Sequence, residues 1–330
     1  MKTLLVIKYR ALGDSVISLG TLQYLRTILP ETKIIFATPW WTADLYKNTK
    51  IAADEVFGFK LQKPTDWFSM WNRLRRREID GVFEMFQSGR TSTFFKFYSP
   101  LNGTPYWAHN HHSKSGIVHD QGIIKPVIQR DLDGAWSFFG KEKRLAIPNY
   151  KNFCPNFYMP NVQKKKRIVL GTVATRETKM YPLEMMARLA QIIRNEYPDF
   201  EIVAPISTSK TDAEIENKLR SLHSGIEFVK LKLSELPRFF AESSLYIGND
   251  TGLKHIAIAS GIKSLTLFGP EPPLEWHPYD EIQHPRLFLD PLSCRYETGH
   301  YCGLSTCESM ICLKHFTPED VWNQGRSLLS

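Results

Sequence analysis

The fold is decided by residues 4–25, which read LLVIKYRALGDSVISLGTLQYL. A short apolar run is followed by a turn that contains Gly13 and Asp14, and apolar residues then recur at helical spacing. This order predicts a strand, a tight turn and a helix. A second apolar run at residues 34–37 completes a β-α-β unit, which indicates a parallel sheet with right-handed crossovers.

The same alternation starts again in the second half of the chain. Residues 147–167 are rich in Pro, Asn and Lys, and they separate the two halves. After this segment, apolar runs and helical periodicity predict helices from about Pro182, Asp212 and Leu233, and strands at residues 168–170, 200–203, 245–247 and 264–267.

We therefore predict two α/β domains, residues 1–160 and residues 161–330. Near the end of the chain, Thr317 and Pro318 precede two acids, which is typical of a helix start. The terminal helix that this start predicts could pack back on the first domain.

The positive charge of the chain lies in its first half. Residues 1–165 hold 24 Lys and Arg against 13 Asp and Glu, and the remainder holds 18 against 21. Such an asymmetry indicates that the first half meets an anionic partner, which could be a nucleic acid, a phosphorylated acceptor or an acidic membrane surface. No nucleic-acid-binding motif is present, so we do not expect a nucleic-acid partner.

The N-terminus predicts a first β-strand and not a signal peptide. Its apolar run is short and lacks a small-residue cleavage site, and no run in the chain approaches the ~18 apolar residues that span a bilayer. We therefore expect a cytoplasmic protein, in which the five cysteines are reduced unless they are metal-bound or catalytic.

A candidate phosphate site lies in residues 248–255, GNDTGLKH, where a predicted strand runs into a turn and a helix. The free N–H groups at such a helix start bind phosphate, Gly252 allows close approach of a ligand, and Thr251 adds a hydroxyl donor. The alternative interpretation is that Asp250 and Thr251 only cap the helix.

Lys179 lies just before the proline that opens the next helix of the second domain. A lysine in this position can reach a diphosphate and neutralise the charge of a leaving nucleotide. Taken alone, it also fits a solvated surface lysine.

Asp14 follows the first strand of the first domain, where a carboxylate can accept a proton from an acceptor hydroxyl. An N-cap aspartate has the same pattern. Arg10 and Arg90 supply forked donors that suit carboxylate or phosphate groups.

Together these motifs resemble the heptosyltransferases of glycosyltransferase family 9. The start of the chain, with Arg10 to Asp14, is similar to the family's opening, and residues 248–255 with residues 267–270, LFGP, are similar to its second signature in order and spacing. Residues 86–91 and 179–182 fit the family pattern loosely, and residues 95–160 fit it least. The resemblance implies the GT-B fold, in which two Rossmann-like domains with parallel sheets face an inter-domain cleft.

The resemblance also implies roles for the motif residues. Asp14 becomes the candidate general base and Lys179 the stabiliser of the departing diphosphate. Asp212 stands roughly where the family has an acid near the donor ribose, although Glu214 and Glu216 lie close enough in the sequence to replace it. The implied donor diphosphate site consists of Asp250, Thr251, Gly252 and His255. The implied reaction is a metal-independent inverting transfer that needs no cofactor.

Four cysteines lie close together before the terminal helix: Cys294, Cys302, Cys307 and Cys312. Four thiolates in a reduced compartment suit a structural zinc or iron site. Their spacing includes no Cys-x-x-Cys pair, and similar clusters occur before the terminal helix in many family members, so free thiols are the alternative.

Two further segments allow more than one interpretation. His109, His111 and His112 suit an acceptor loop that contacts sugar or phosphate, or an ordinary polar surface. Residues 66–78 predict a basic amphipathic helix, whose apolar face packs on the sheet or whose arginines contact anionic lipid headgroups.

From these observations we predict a glycosyltransferase that adds heptose from ADP-heptose to the inner core of a lipopolysaccharide precursor. The first domain would bind this anionic acceptor at the cytoplasmic face of the inner membrane, with peripheral membrane contact, and the second would bind the donor. One alternative is transfer to a protein or another glycan. Another is a non-catalytic nucleotide-sugar-binding protein, against which the presence of both Asp14 and Lys179 argues.

Overall fold

The first apolar run of the chain forms the central strand of a parallel sheet. A computed structural model describes residues 1–109, 125–295, 302, 304 and 306–329. These residues divide into two units, Met1–Tyr158 and Met159–Ser330.

The sheet of the first unit has the strand order β3-β2-β1-β4-β5, and its strands pair in parallel throughout the described residues. The strands are β1 Thr3–Ile7, β2 Lys33–Pro39, β3 Glu55–Phe59, β4 Gly81–Glu84 and β5 Tyr106–Ala108. Ile7 at the end of β1 lies beside Ala37 of β2 and Glu84 of β4. Strand β1 is completely buried, as the apolar run predicts.

The described helices of the first unit are α1 Leu12–Ile17, α2 Leu19–Ile28, α3 Pro64–Arg75, α4 Gly89–Asn102 and α5 Val127–Ala135. The single helix predicted after Asp14 is divided into α1 and α2 at Ser18, whose Oγ donates to the carbonyl of Ser15 at 2.7 Å. Helices α3 and α4 share one core, to which they contribute Met70, Leu74, Phe94 and Phe95.

The sheet of the second unit has the order β11-β10-β9-β6-β7-β8, again with parallel pairs in the described region. Its strands are β6 Arg167–Gly171, β7 Glu201–Ile206, β8 Glu227–Lys230, β9 Leu245–Asn249, β10 Lys263–Phe268 and β11 Arg286–Phe288. The strands predicted at residues 168–170, 245–247 and 264–267 lie within β6, β9 and β10, and the strand predicted at residues 200–203 begins one residue later, in β7.

The described helices of the second unit are α6 Leu183–Glu196, α7 Lys210–Ser221, α8 Leu236–Ala241, α9 Gly252–Ala259, α10 Pro273–Trp276, α11 Ile311–Lys314 and α12 Pro318–Arg326. Thr317 and Asp320 cap α12 reciprocally. The buried Trp322 of α12 donates to Glu196 of α6 at 2.7 Å. The last helix therefore contributes to the core of its own unit, and its predicted packing on the first domain stays a prediction.

Each sheet changes its winding direction at a defined point. In the first unit this point lies between β1 and β4, and in the second it lies between β6 and β9. Ligands of open parallel sheets bind outside the carboxyl ends of the strands at such points. The fold thus places the residues that follow these four strands where a ligand would bind.

Across the described residues, no helix combines the length and the hydropathy that a bilayer-spanning segment needs.

Candidate functional site

A buried carboxylate lies at the carboxyl end of β9. Asp250 is 4% exposed, and its Oδ1 accepts from Nζ of Lys254 at 2.5 Å while its Oδ2 lies 3.1 Å from Nζ of Lys179. Burial alone would raise the pKa of Asp250, but the ammonium groups of Lys254 and Lys179 hold it well below its usual range. Asp250 is therefore a fixed negative charge between two lysines.

Lys179 reaches Asp250 from the loop that follows β6. Its side chain is 16% exposed, and its Nζ lies 3.9 Å from Glu271 Oε1 as well. The backbone N–H of Tyr181 donates to Asn249 Oδ1 at 2.8 Å, which joins this loop to the end of β9. The interpretation of Lys179 as a solvated surface lysine is therefore wrong, because its side chain is largely buried and its ammonium group is paired.

Lys254 is completely buried one helical turn after Asp250. Besides Asp250, its Nζ donates to the carbonyl of Trp276 at 2.9 Å and lies 4.6 Å from the ring centroid of Phe268. Burial lowers the pKa of Lys254, although the Asp250 carboxylate opposes this shift. Lys254 thus holds Asp250 in place from inside the unit, which leaves Lys179 as the partner nearer to solvent.

The start of α9 is open to an anion. Thr251 is its N-cap residue but makes no side-chain cap hydrogen bond with the described helix backbone, and Gly252 is its first residue. The alternative that Asp250 and Thr251 only cap the helix is therefore not what the structure describes. With the N–H groups of the first turn unopposed by a capping oxygen, this end of α9 suits a phosphate group.

His255 lies behind this helix start and is 4% exposed. Its Nδ1 lies 2.6 Å from the hydroxyl of Tyr279. Burial, reinforced by the charge of Lys254, lowers the pKa of His255 well below its usual value. The ring is therefore neutral near pH 7 and acts here as a hydrogen-bonding group.

Two charged residues of this cluster were missed from the sequence, Lys254 and Glu271. Glu271 follows the Gly269-Pro270 turn after β10 and pairs with Arg176 and Lys179. Burial raises its pKa. For Lys254, a signal was available in the sequence: its i,i+4 spacing from Asp250 places the two side chains on one helical face.

In the first unit, Asp14 lies in the first turn of α1, where the N-cap residue is Ala11. Asp14 is therefore not an N-cap aspartate. Its side chain is 9% exposed and forms no ion pair with any residue that the structure describes. Burial raises the pKa of Asp14, against the opposing charges of Lys8 and Arg10. A carboxylate with a raised pKa is a stronger base than an ordinary aspartate.

Below Asp14, a completely buried ion pair joins the end of β1 to α5. Nζ of Lys8 donates to both carboxylate oxygens of Asp131, at 2.6 and 2.7 Å, and both side chains are 0% exposed. The two charges act on Asp14 in opposite directions, since Lys8 lowers its pKa and Asp131 raises it. This pair was not foreseen from the sequence.

Glu84 at the end of β4 organises the turn that leads into α4. Its buried carboxylate accepts from the hydroxyls of Thr91 and Tyr106, and from the backbone N–H of Ser88 at 3.1 Å. Burial raises the pKa of Glu84 to about 7. The turn that Glu84 holds carries Arg90.

Arg10 and Arg90 are both exposed. The guanidinium carbon of Arg10 lies 4.3 Å from the ring centroid of Phe86, which belongs to the same turn as Arg90. The structure thus brings the two turns after β1 and β4 into contact, and both guanidinium groups remain accessible to an anion.

Asp212 has a local role in the structure. Its carboxylate accepts from the hydroxyl of Ser209 at 2.9 Å and from the backbone N–H of Ser207 at 2.7 Å, at the start of α7. Of the two alternative acids, Glu216 pairs with Arg220 and Lys230, and Glu214 pairs with Lys210. Proximity of any of these acids to a donor ribose stays a prediction.

The four clustered cysteines line one cavity of about 50 Å³. None of the four forms a disulfide within the described residues; Cys294 is exposed and Cys302, Cys307 and Cys312 are half-buried. Among the described residues, no group of three or more His, Cys, Asp or Glu side chains is arranged to hold a metal ion. The sulfur atoms share a cavity without forming a ligand set, so the zinc or iron site stays a prediction.

Of the predicted histidine loop, only His109 belongs to the described residues, and His111 and His112 lie outside them. His109 is 0% exposed, and its ring lies close to Gly134 of α5. For this residue the interpretation as a polar surface is wrong.

The basic helix at residues 66–78 corresponds to α3. Its apolar residues Met70 and Leu74 are buried in the core, as the packing interpretation predicts. The helix ends at Arg75, three residues before the predicted end. Arg73 in α3 and Arg77 just after it are not simply solvated, because they lie 4.1 and 4.5 Å from the ring centroid of Phe57.

Comparison with known proteins supports the family resemblance that the sequence motifs indicated. Residues 67–294 match the model of glycosyltransferase family 9 (heptosyltransferase). Lipopolysaccharide heptosyltransferase 1 of Campylobacter coli is 32% identical over 289 residues, which cover 81% of this chain and 84% of that protein.

Solved structures show the same fold. E. coli ADP-heptose lps heptosyltransferase II has a TM-score of 0.75 at 16% identity, covering 100% of this chain and 98% of that one. E. coli heptosyltransferase WaaC with ADP-2-deoxy-2-fluoro heptose has a TM-score of 0.72 at 14% identity, with 98% of each chain covered. The prediction of a GT-B fold with two Rossmann-like domains is thereby confirmed. The chain is a glycosyltransferase and belongs to glycosyltransferase family 9, the heptosyltransferase family.

Proposed function

We propose that this enzyme transfers heptose from ADP-heptose to the inner core of a lipopolysaccharide precursor. The relatives named above support both the sugar and the acceptor, since their names specify heptosyl transfer and lipopolysaccharide. The observation that carries the proposal is the buried Lys254–Asp250–Lys179 cluster beside the open start of α9, which suits a nucleoside diphosphate.

In the proposed complex the donor diphosphate lies at the start of α9. The N–H groups after Thr251 and the hydroxyl of Thr251 bind phosphate oxygens, and Gly252 leaves room for them. Lys179 moves its ammonium group from Asp250 toward the diphosphate, or shares it between the two. His255 supports the helix start as a neutral hydrogen-bonding group.

The bond to the nucleotide breaks as the acceptor attacks. An acceptor hydroxyl forms a bond to the anomeric carbon, its proton passes to the carboxylate of Asp14, and the carbon–oxygen bond to ADP breaks with its electron pair on the diphosphate. Lys179 and the α9 dipole stabilise the charge that develops on ADP. A single displacement of this kind inverts the anomeric configuration and needs no metal ion.

The acceptor is proposed to bind to the first unit. Arg10 and Arg90 are exposed cations on neighbouring turns, and forked guanidinium groups suit the phosphate and carboxylate groups of an inner core. The excess of 24 basic over 13 acidic residues in the first half of the chain favours the same anionic partner. The proposed reaction takes place at the cytoplasmic face of the inner membrane, in which the acyl chains of such precursors are anchored.

A direct test supplies purified enzyme with ADP-heptose and a Kdo-bearing lipid A acceptor, and follows the product by mass spectrometry and by NMR of the new anomeric proton. We expect one added heptose with inverted configuration, and transfer that is slower by about 10²–10⁴-fold with Asp14→Asn. Labelling of a protein or an unrelated glycan would favour the alternative acceptors. Binding of ADP-heptose without transfer to any acceptor would favour a non-catalytic binding protein.

A further inference from the structure

Helices α3 and α4 expose large apolar side chains next to each other. Phe68 of α3 is 72% exposed, and Phe97 and Leu101 of α4 are 60% and 73% exposed. Single exposed apolar residues are common in folded proteins, but large ones on adjacent helices form a patch that is typical of an interaction site. Trp67, the neighbour of Phe68 on α3, links the two helices, with its ring centroid 6.4 Å from that of Phe97.

Helical geometry aligns these residues with two arginines. Phe68 and Arg75 are seven residues apart on α3, and Arg90, Phe97 and Leu101 are spaced by seven and four residues on α4, so each set shares one side of its helix. We call these five residues the α3–α4 face.

The cations of the α3–α4 face are available to a partner. Within the described part of the chain, neither Arg75 nor Arg90 forms an ion pair, and both are exposed. The acid in the first turn of α3, Asp66, instead caps the helix by accepting from the backbone N–H groups of Gln62 and Lys63 at 2.8 and 2.9 Å. The face therefore combines exposed apolar groups with two exposed guanidinium groups that form no ion pair among the described residues.

We propose that the α3–α4 face docks on an anionic phospholipid bilayer. Aromatic and aliphatic side chains that enter the headgroup region beside arginines that meet lipid phosphates are the pattern of an interfacial helix. Phe68 and Phe97 supply rings that suit this interface, and Arg75 and Arg90 give it a charge preference. An uncharged protein partner would make no use of these two guanidinium groups.

The position of Arg90 links this face to the reaction and rests on the proposed function. Arg90 opens α4 at the turn assigned to the acceptor, and Phe97 and Leu101 continue along the same side of that helix. A helix that dips its apolar side into the bilayer would therefore hold Arg90 at the headgroup level, where the phosphorylated core of a lipid-anchored acceptor lies. The surface thus explains how a chain of this family meets an acceptor that stays in the membrane.

The test is co-sedimentation of the full chain with vesicles of phosphatidylcholine alone or mixed with phosphatidylglycerol. We expect binding to the mixed vesicles that weakens as salt increases. Replacement of Phe68, Phe97 and Leu101 by Ser should weaken this binding by about tenfold or more, because the apolar area that enters the bilayer is lost. The matched control replaces Leu274 and Ile282 by Ser, since these are 58% and 84% exposed on the second unit, and it should bind like the parent.

Three results would overturn the proposal. The first is no binding of the parent chain to the mixed vesicles, and the second is equal binding of the triple variant and the parent. The third is self-association of the parent that the triple variant loses, because this would assign the face to a second copy of the chain. Analytical ultracentrifugation measures the self-association.

Activity assays separate this inference from the proposed function. With a deacylated, water-soluble acceptor, the triple variant should keep the parent's kcat, and with the acylated acceptor in vesicles it should be slower. If the parent transfers heptose to neither acceptor, the proposed function fails, and the vesicle measurement still decides the lipid inference on its own.

Discussion

Lys179 and Asp250 form an ion pair of 3.1 Å that joins the loop after β6 to the end of β9. These strands are neighbours at the point where the second sheet changes its winding direction. The pair therefore lies where an α/β sheet binds a ligand, and Lys254 fixes its acidic member from the buried side.

Asp250→Asn should destabilise the chain strongly. The change leaves the buried ammonium group of Lys254 without its carboxylate partner, and breaking one side of such a pair costs about 3–5 kcal/mol. We expect a clear fall in the denaturation midpoint in urea. In Glu214→Gln, which removes the exposed pair with Lys210, the free energy of unfolding should change by no more than about 0.5 kcal/mol. Equal midpoints for the two variants would contradict the buried cluster.

The pH dependence of transfer should report on Asp14. Its pKa is raised by burial, and a base must be deprotonated, so kcat/KM should fall as the pH drops through a value above the ordinary aspartate pKa. Asp14→Asn should lower kcat by about 10²–10⁴-fold and abolish this acidic limb. The control Glu142→Gln changes an exposed acid of the same unit and should leave the profile intact. An Asp14→Asn enzyme with the parent's profile would remove Asp14 from the mechanism.

Glu84 should make the stability of the chain depend on pH. Its pKa is about 7 in the folded chain against an ordinary value of 4.5, so the folded state keeps a proton that the unfolded state releases between these values. Stability should therefore fall as the pH rises through this window, by about 3 kcal/mol if the whole shift is realised.

This linkage can be measured as the difference in Tm between the parent and Glu84→Gln. The neutral amide cannot titrate, so the Tm of the parent relative to the variant should decrease from pH 4.5 to pH 7 and then stay constant. A difference in Tm that is the same at every pH would show that Glu84 titrates normally. Glu142→Gln again serves as the control.

The strands and turns could be predicted from the sequence because their signals are local. The apolar run of β1 and the periodicity that follows it predicted a buried strand and a helix, and the structure has both. The position of Asp250 after β9 could be predicted in the same way, since strand, turn and helix start follow each other within a few residues.

Partners that come from distant parts of the chain were not predictable. The interpretation of Lys179 as a surface residue was wrong because burial depends on Asp250 and Glu271, which follow other strands. The Lys8–Asp131 pair was missed for the same reason. The partner of Asp212, in contrast, is local. Ser209 lies three residues before it, so the capping pattern that gives the Asp212 carboxylate a structural role could have been predicted.

The most direct test of the central claim is calorimetric titration of the purified chain with ADP, UDP and GDP, repeated with ADP on Lys179→Ala and Asp14→Ala. The exposed Lys210→Ala is the matched lysine control. We predict that ADP binds best, that Lys179→Ala weakens ADP binding by about tenfold or more, and that Asp14→Ala and Lys210→Ala bind ADP like the parent. Absence of nucleotide binding, or a clear preference for UDP or GDP, would contradict an ADP-heptose donor.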